Sequence, residues 1–182
     1  MTDLAIPKPY QLLLTGVAAI ALLTTGLVVG VSQKIGRNVL QPRYFSCEQQ
    51  ADTKQQNIVW TVMYRQPTTE LQPWLSILSG VEGDNDLEKR CQQVATTLDS
   101  HYSDQLQKLF YQAHSATPDQ QAICVQTAKH SPTNCATLLI LKPQIAPEQY
   151  FADFAAPLAP YYVLEGNQTV IDLKKRLATE AP

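Results

Sequence analysis

The sequence predicts one α+β domain that follows a single N-terminal transmembrane helix and is held together by two disulfides. Three observations support this fold class. An uncharged apolar stretch of 20 residues, 12–31, precedes a polar body. That body contains segments of strand character as well as segments of helical periodicity. All four cysteines lie within it. We expect a small, mainly antiparallel sheet with one long and one short helix packed on it.

The chain divides into four predicted segments. Residues 1–33 carry the membrane anchor, 34–43 form a basic flank, 44–163 form the disulfide-framed domain, and 164–182 form an amphipathic tail. Twenty residues at helical rise span about 30 Å, the thickness of a bilayer's hydrocarbon core. A cleaved signal peptide is the alternative. Signal peptides have a shorter apolar region and a small-x-small cleavage site, so a retained anchor is favoured.

Two signals disagree about the side of the membrane on which the domain lies. Lys8 precedes the apolar stretch, whereas Lys34, Arg37 and Arg43 follow it. By the positive-inside rule, this distribution places the domain in the cytoplasm. An even set of cysteines is instead typical of oxidising compartments. Because large domains are translocated despite flanking charge, we expect a single-pass protein whose domain faces a lumen or periplasm.

The charge of the domain argues against nucleic-acid binding. Residues 44–163 contain seven Lys or Arg and twelve Asp or Glu, a net charge of −5. A protein that binds duplex nucleic acid needs a dense basic face on its folded domain. We therefore expect no nucleic-acid partner.

Two strands and one helix are predicted in the first half of the domain. Residues 57–65 are rich in β-branched and aromatic residues and have apolar side chains on both faces, which indicates an inner strand. Residues 74–78 are a second strand candidate. Asn85, followed by Glu88, fits a helix N-cap. The helix after it has one apolar face, with residues spaced by 4, 3, 4 and 4: Leu87, Cys91, Val94, Leu98 and Tyr102.

The second half predicts a hairpin and two further helices. Residues 122–127 and 136–141 are strand candidates joined by a polar loop, and 105–111 is ambiguous between helix and strand. Pro147 suits the first turn of a helix, which Pro157 and Pro160 would end. That helix carries an apolar stripe: Tyr150, Phe151, Phe154 and Leu158. The tail after residue 166 is predicted as a short amphipathic helix that presents Val170, Leu173 and Leu177.

The spacing of Cys47, Cys91, Cys124 and Cys135 argues for disulfides and against a metal site. Zinc ligands usually pair two to four residues apart, whereas the gaps here are 44, 33 and 11. Buried free cysteines are the alternative. Four cysteines allow three connectivities. The last two bracket the predicted hairpin, which favours Cys124 with Cys135 and therefore Cys47 with Cys91, while the other pairings stay open.

No catalytic, cofactor or metal site is expected. Asp99, His101 and Ser103 are close in sequence but would fan around a helix end, and a hydrolase triad must converge. His130 lies five residues before Cys135, which suggests a nucleophilic pair, but a solvated histidine and a disulfide explain both residues.

A calcium loop is the remaining candidate ion site. Glu82, Asp84 and Asp86 are clustered, but the ligand pattern of an EF-hand is absent. We interpret these carboxylates as a solvated capping turn.

Four short segments carry a resemblance to a known family: FSC at 45–47, RCQQV at 90–94, ICV at 123–125 and CATLL at 135–139. Their order resembles that of the cyanobacterial circadian-oscillating-polypeptide domain family, over about two-thirds of the chain. The resemblance implies a cyanobacterial source, export behind an N-terminal signal or anchor, and membrane association. It implies no activity and no catalytic residues. The loops rich in Gln, Thr and Pro, the anchor and the basic tail depart from the family pattern.

These observations predict a non-enzymatic, membrane-anchored accessory or interaction protein, such as a subunit or assembly factor of a larger membrane complex. Its partners would be the bilayer, through residues 12–31, and a membrane protein complex. One alternative is an exported hydrolase or thiol-dependent enzyme. Another is a small-molecule carrier, with Trp60, Trp74 and the aromatic stripe at 150–154 as its pocket wall.

Overall fold

In a computed structural model of the chain, the described residues are 43–51, 58–65, 70–130 and 134–179. The predicted anchor and the basic flank up to residue 42 lie outside these ranges. Across the described ranges, no helix is both long and apolar enough to cross a membrane.

A three-stranded antiparallel sheet forms the first half of the domain. It consists of β1 (Phe45–Ala51), β2 (Ile58–Tyr64) and β3 (Gln72–Ile77), in the order β1-β2-β3. The prediction of an inner strand at residues 57–65 is confirmed, because β2 pairs with β1 on one side and β3 on the other. Residues 61–64 of β2 are all buried, so both faces of this half of the strand are covered, which explains why its sequence lacks a polar face.

A second antiparallel sheet has five strands. They are β4 (Leu106–Ala113), β5 (Gln121–Thr127), β6 (Ala136–Ile140), β7 (Tyr162–Glu165) and β8 (Gln168–Asp172), arranged β6-β5-β4-β8-β7. The predicted hairpin is confirmed as β5 and β6, and the ambiguous segment is the strand β4. The expected α+β class holds, but a single small sheet was wrong, because the chain builds two.

Three α-helices and one 3-10 helix complete the domain: α1 (Leu87–Tyr102), α2 (Pro147–Phe154), the 3-10 helix Ala156–Tyr161 and α3 (Leu173–Ala178). The N-cap of α1 is Asp86, whose carboxylate accepts the backbone N–H of Lys89 at 2.9 Å. The predicted cap, Asn85, was wrong by one position. Asp86 stands three residues before that N–H, the distance at which a capping side chain satisfies an otherwise unpaired donor.

The tail differs from its prediction. Residues 168–172 form β8, which pairs with β4 and β7, and only residues 173–178 are helical. Val170 and Ile171 are buried in two different apolar clusters. Adjacent residues point to opposite faces only in a strand, so burial on both faces overrides the helical spacing. The predicted domain boundary at residue 163 falls inside β7.

The main core draws on both sheets and on the helices α1 and α2. Trp74 is only 1 % exposed, and its ring lies 4.8 Å from that of Phe45 and 5.0 Å from that of Tyr64, between centroids. A smaller cluster covers the other face of the five-stranded sheet and contains Phe110 and Cys124. The five-stranded sheet therefore buries apolar side chains on both of its faces.

Both disulfides are formed within the described domain. Cys47 in β1 is bonded to Cys91 in α1, and Cys124 in β5 is bonded to Cys135, the residue before β6. The corresponding Cα atoms lie 5.8 Å and 5.6 Å apart. This is the connectivity that the hairpin argument favours. No cysteine of the chain is left free.

Candidate functional site

A cleft of about 350 Å³ lies between α1 and β6. Its helix wall is made by Arg90, Gln93 and Thr97, and its strand wall by residues 137–140. The spacing of 3 and 4 residues places the helix-wall side chains on one stripe of α1. A different stripe of α1 carries the residues buried in the core, so the helix is free to present polar groups to the cleft.

The strand wall of the cleft is an edge strand. β6 is the first strand of the five-stranded sheet, and its outer edge is bridged only near its end, where Val81 pairs with Leu141. There the N–H of Glu82 donates to the carbonyl of Ile140 at 2.9 Å. In the described part of the chain, no strand pairs with the rest of this edge. An uncovered edge offers backbone donors and acceptors to another chain.

Arg90 supplies the positive charge of the cleft. Its guanidinium lies against the backbone of Gly83, where an added Cβ would stand 1.9 Å from Nη2. Gly83 has a φ of +69°, a backbone conformation that favours glycine, and an added Cβ would force the end of the Arg90 side chain to move. No carboxylate or carbonyl among the described residues makes a hydrogen bond or ion pair with the guanidinium. The cation is therefore available to a ligand.

One exposed acidic side chain, that of Glu82, lines the cleft and contacts a buried amide behind it. Gln120, only 8 % exposed, donates through Nε2 to Glu82 Oε1 at 2.8 Å and to the carbonyl of Leu141 at 3.3 Å. The only acidic side chain among the described residues that line the cleft is thus already hydrogen-bonded to the protein. An unsatisfied amide would be costly for the buried Gln120, and these two hydrogen bonds avoid that cost.

The carboxylates considered for calcium point to separate partners. Asp84 is paired with Lys142, with Nζ to Oδ1 and Oδ2 distances of 2.7 and 2.8 Å, and also accepts the N–H of Gly80. The hydrogen bond from Lys142 lowers the pKa of Asp84. Asp86 caps α1, and Glu82 binds Gln120. The Asp84–Lys142 pair joins the loop before α1 to the end of β6.

The residues considered for nucleophilic catalysis have other roles. Cys135 is bonded to Cys124, and Nε2 of Gln112 donates to its sulfur at 3.1 Å. The thiolate that a Cys–His pair requires is absent while this disulfide is intact. Oδ1 of Asp99 accepts the backbone N–H groups of Tyr44 and Phe45 at 2.9 and 3.0 Å. Asp99 therefore ties α1 to the start of β1.

The aromatic residues considered for a carrier pocket belong to the core. Trp74, Tyr150 and Phe154 are at most 5 % exposed, and Trp60 packs against the same cluster. Burial raises the pKa of the Tyr150 hydroxyl, which donates to the carbonyl of Leu78. None of these side chains lines the cleft.

The sequence predicted neither the cleft nor the proximity of two histidine side chains. Arg90 was noted only as part of the RCQQV segment, and the edge of β6 has no signature in a single sequence. His101 and His130 were considered separately, yet their ring centroids lie 5.2 Å apart. Their proximity depends on how the end of α1 meets the end of β5, which no local pattern encodes.

Comparison with known proteins identifies a family but no individual relative. No curated protein and no solved structure matches the chain. The family model described as circadian oscillating protein COP23 matches residues 44–177. That range runs from the residue before β1 into α3, and it includes both disulfides and both walls of the cleft. The chain belongs to the circadian oscillating protein COP23 family.

Proposed function

We propose that this protein is a non-enzymatic interaction module, tethered to a membrane and exposed to a lumen or periplasm. Its cleft would bind an extended, acidic segment of a partner protein, in keeping with a role as a subunit or assembly factor of a membrane complex. The observation that carries the proposal is the cleft itself, in which an uncovered strand edge faces an unpaired cation.

The strand edge supports the extended form of the partner segment. An added strand would take up the free backbone groups of β6 through main-chain hydrogen bonds, which give affinity with little demand on sequence. Edge strands are commonly protected by Lys, Pro or a covering loop. β6 has the sequence ATLLI, without Lys or Pro, and a neighbouring segment bridges only its end.

Arg90 supports the acidic character of the segment. A guanidinium without a protein partner favours a carboxylate, because its planar array of donors matches both carboxylate oxygens. The carboxylate of Glu82, which also lines the cleft, is hydrogen-bonded to Gln120 and makes no ion pair with Arg90. A partner carboxylate could therefore reach Arg90 without displacing an existing ion pair.

The two disulfides support binding by a pre-formed site. Cys91, adjacent to Arg90, fixes the helix wall to β1, and Cys135, adjacent to β6, fixes the strand wall to β5. A site whose walls are already held in place loses less conformational entropy when a ligand binds. Disulfides also persist mainly in oxidising compartments, in agreement with an exported domain.

Site-specific photo-crosslinking in native membranes tests the proposal. A photo-crosslinking amino acid at position 137 places the probe in the cleft, on an exposed residue. The matched control is position 164 in β7, the opposite edge of the same sheet, where Leu164 is 77 % exposed. We expect one dominant adduct from position 137 and none from position 164. Equal adducts from both, or none from either, would contradict the proposal.

A charge reversal tests the role of Arg90. Arg90→Glu places a negative charge in the cleft, and we expect the yield of the adduct to fall about tenfold, equivalent to about 1.4 kcal/mol. Lys89→Glu is the matched control, since it makes the same change on the preceding residue of α1, which does not line the cleft. An equal loss with both variants would show that overall charge, and not the cleft, governs binding.

A further inference from the structure

His101, Asp104 and His130 form a cluster on the domain. Each contributes one nitrogen or oxygen atom, and these atoms all lie within 4.8 Å of one another. All three residues are partly buried. His101 is in the last turn of α1, Asp104 follows that helix, and His130 follows β5. Residues far apart in sequence thus present two imidazoles and one carboxylate to one point.

The backbone holds the two loops of this cluster together. The N–H of Ala128 lies 3.0 Å from the carbonyls of both Asp104 and Gln105. Gln105 has a φ of +60°, in the left-handed region that residues other than glycine seldom adopt. Such strain persists where the surrounding structure enforces it, and it is concentrated at functional sites. The ligand loops are therefore fixed relative to each other.

The hydrogen bonds at the cluster leave one ring nitrogen of each histidine free to bind a ligand. The hydroxyl of Thr127 lies 2.8 Å from Nδ1 of His130, which anchors that nitrogen and leaves Nε2 available. Nδ1 of His101 is inaccessible to solvent and has no hydrogen-bond partner. Its nearest acidic neighbour is Oδ2 of Asp104, at 3.6 Å. A buried ring nitrogen without a hydrogen bond is uncommon in folded proteins, and a bound ion would satisfy it.

Lys129 completes the surroundings of the carboxylate. Its ammonium pairs with Oδ1 of Asp104, while Oδ2 faces His101. One oxygen thus remains directed at the imidazoles. In metal sites, outer partners of this kind orient the ligands.

We propose that His101, Asp104 and His130 bind a divalent transition-metal ion of the zinc class. Two imidazoles and one carboxylate are a ligand set that Zn²⁺ accepts, with a fourth position open to water or another ligand. Mg²⁺ and Ca²⁺ prefer oxygen ligands, so the two imidazoles select against them. The site is separate from the cleft, which none of the three residues lines.

Calorimetric titration of the full-length protein with ZnCl₂ tests the site. The protein is used with its disulfides oxidised, in detergent, and without an added histidine tag. The chain has three histidines, and His114 is the matched control: it lies outside the cluster, and its Nδ1 lies 2.8 Å from the hydroxyl of Thr117, as that of His130 does from Thr127. We expect one bound Zn²⁺ per chain. His101→Gln and His130→Gln should each weaken binding at least about tenfold, and His114→Gln should not.

A second measurement uses no substitution, so it does not depend on the folding of a variant. Zn²⁺ should protect His101 and His130 of the unmodified protein from acylation by diethyl pyrocarbonate, read by mass spectrometry, while His114 stays reactive. The absence of saturable binding, or equal protection of all three histidines, would overturn the proposal.

Discussion

The two walls of the cleft are held in place by different means. On the helix side, Cys47–Cys91 spans 44 residues, and Asp99 reaches back to two backbone N–H groups 54 and 55 residues away. On the hairpin side, Cys124–Cys135 spans 11 residues between adjacent strands. The position of α1 thus depends on long-range ties, whereas the hairpin would remain paired by its own ladder of hydrogen bonds. The helix wall is therefore the vulnerable side.

Removing each disulfide gives the largest expected difference between the two sides. In the loop-entropy treatment, the longer bridge contributes about 4 kcal/mol and the shorter one about 3 kcal/mol. Cys91 is also fully buried in the main core. We expect the Cys47→Ala/Cys91→Ala variant to lose more stability in urea unfolding than the Cys124→Ala/Cys135→Ala variant. A greater loss from the hairpin pair would reverse the comparison.

The next largest effect concerns Asp99. Asp99→Ala leaves the N–H groups of Tyr44 and Phe45 without their acceptor, and we expect a loss of about 2 kcal/mol in the free energy of unfolding. Asp99→Asn retains an acceptor oxygen and serves as the control, with about half the loss. Chemical denaturation measures both variants. An equal loss would mean that the charge of Asp99, and not its two hydrogen bonds, ties α1 to β1.

The elements whose residues follow a local helical or strand pattern could be predicted from the sequence. The apolar face of α1, the two-faced β2 and the β5–β6 hairpin each have a period that identifies them. β8 could not be predicted, because Val170 also fits a helical spacing and only the partner strands decide between the two. The cleft and the histidine cluster depend on contacts between elements distant in sequence. For that reason, the sequence did not indicate that Arg90 lines a cleft or that His130 lies beside His101.

Ala substitutions at two glycines distinguish the effect of backbone strain from the effect of displacing Arg90. Gly83 and Gly166 have similar φ values of +69° and +63°, but only Gly83 has a side chain, that of Arg90, within 4 Å of its added Cβ. Each Ala variant should lose about 1 kcal/mol of stability from the backbone. Gly83→Ala should also displace the guanidinium and reduce crosslinking from position 137, while Gly166→Ala should not. An equal reduction of crosslinking in both variants would mean that the position of Arg90 does not affect binding in the cleft.

The smallest effect is expected where the two sides are joined, at the ion pair between Asp84 and Lys142. The pKa of Asp84 is lowered from 3.8, chiefly by the hydrogen bond from Lys142. A carboxylate with a lowered folded-state pKa stabilises the fold above its unfolded pKa, and the contribution is lost as the pH falls through the lower folded value. We therefore expect the difference in the free energy of unfolding between the wild type and Asp84→Asn to reach its maximum at pH 5.

That difference should shrink steadily below about pH 4. Protonation of Asp84 then removes its charge in the wild type, and the Asp84→Asn substitution has already removed the same charge in the variant. Urea denaturation of both proteins between about pH 5 and pH 2 measures it. The effect is small because the pair is partly solvated: the Lys142 side chain is 45 % exposed. A difference independent of pH would mean that the ion pair with Lys142 contributes nothing to stability. The Asp84 side chain would then act only within its own loop, through the hydrogen bond from Gly80, which an amide oxygen keeps.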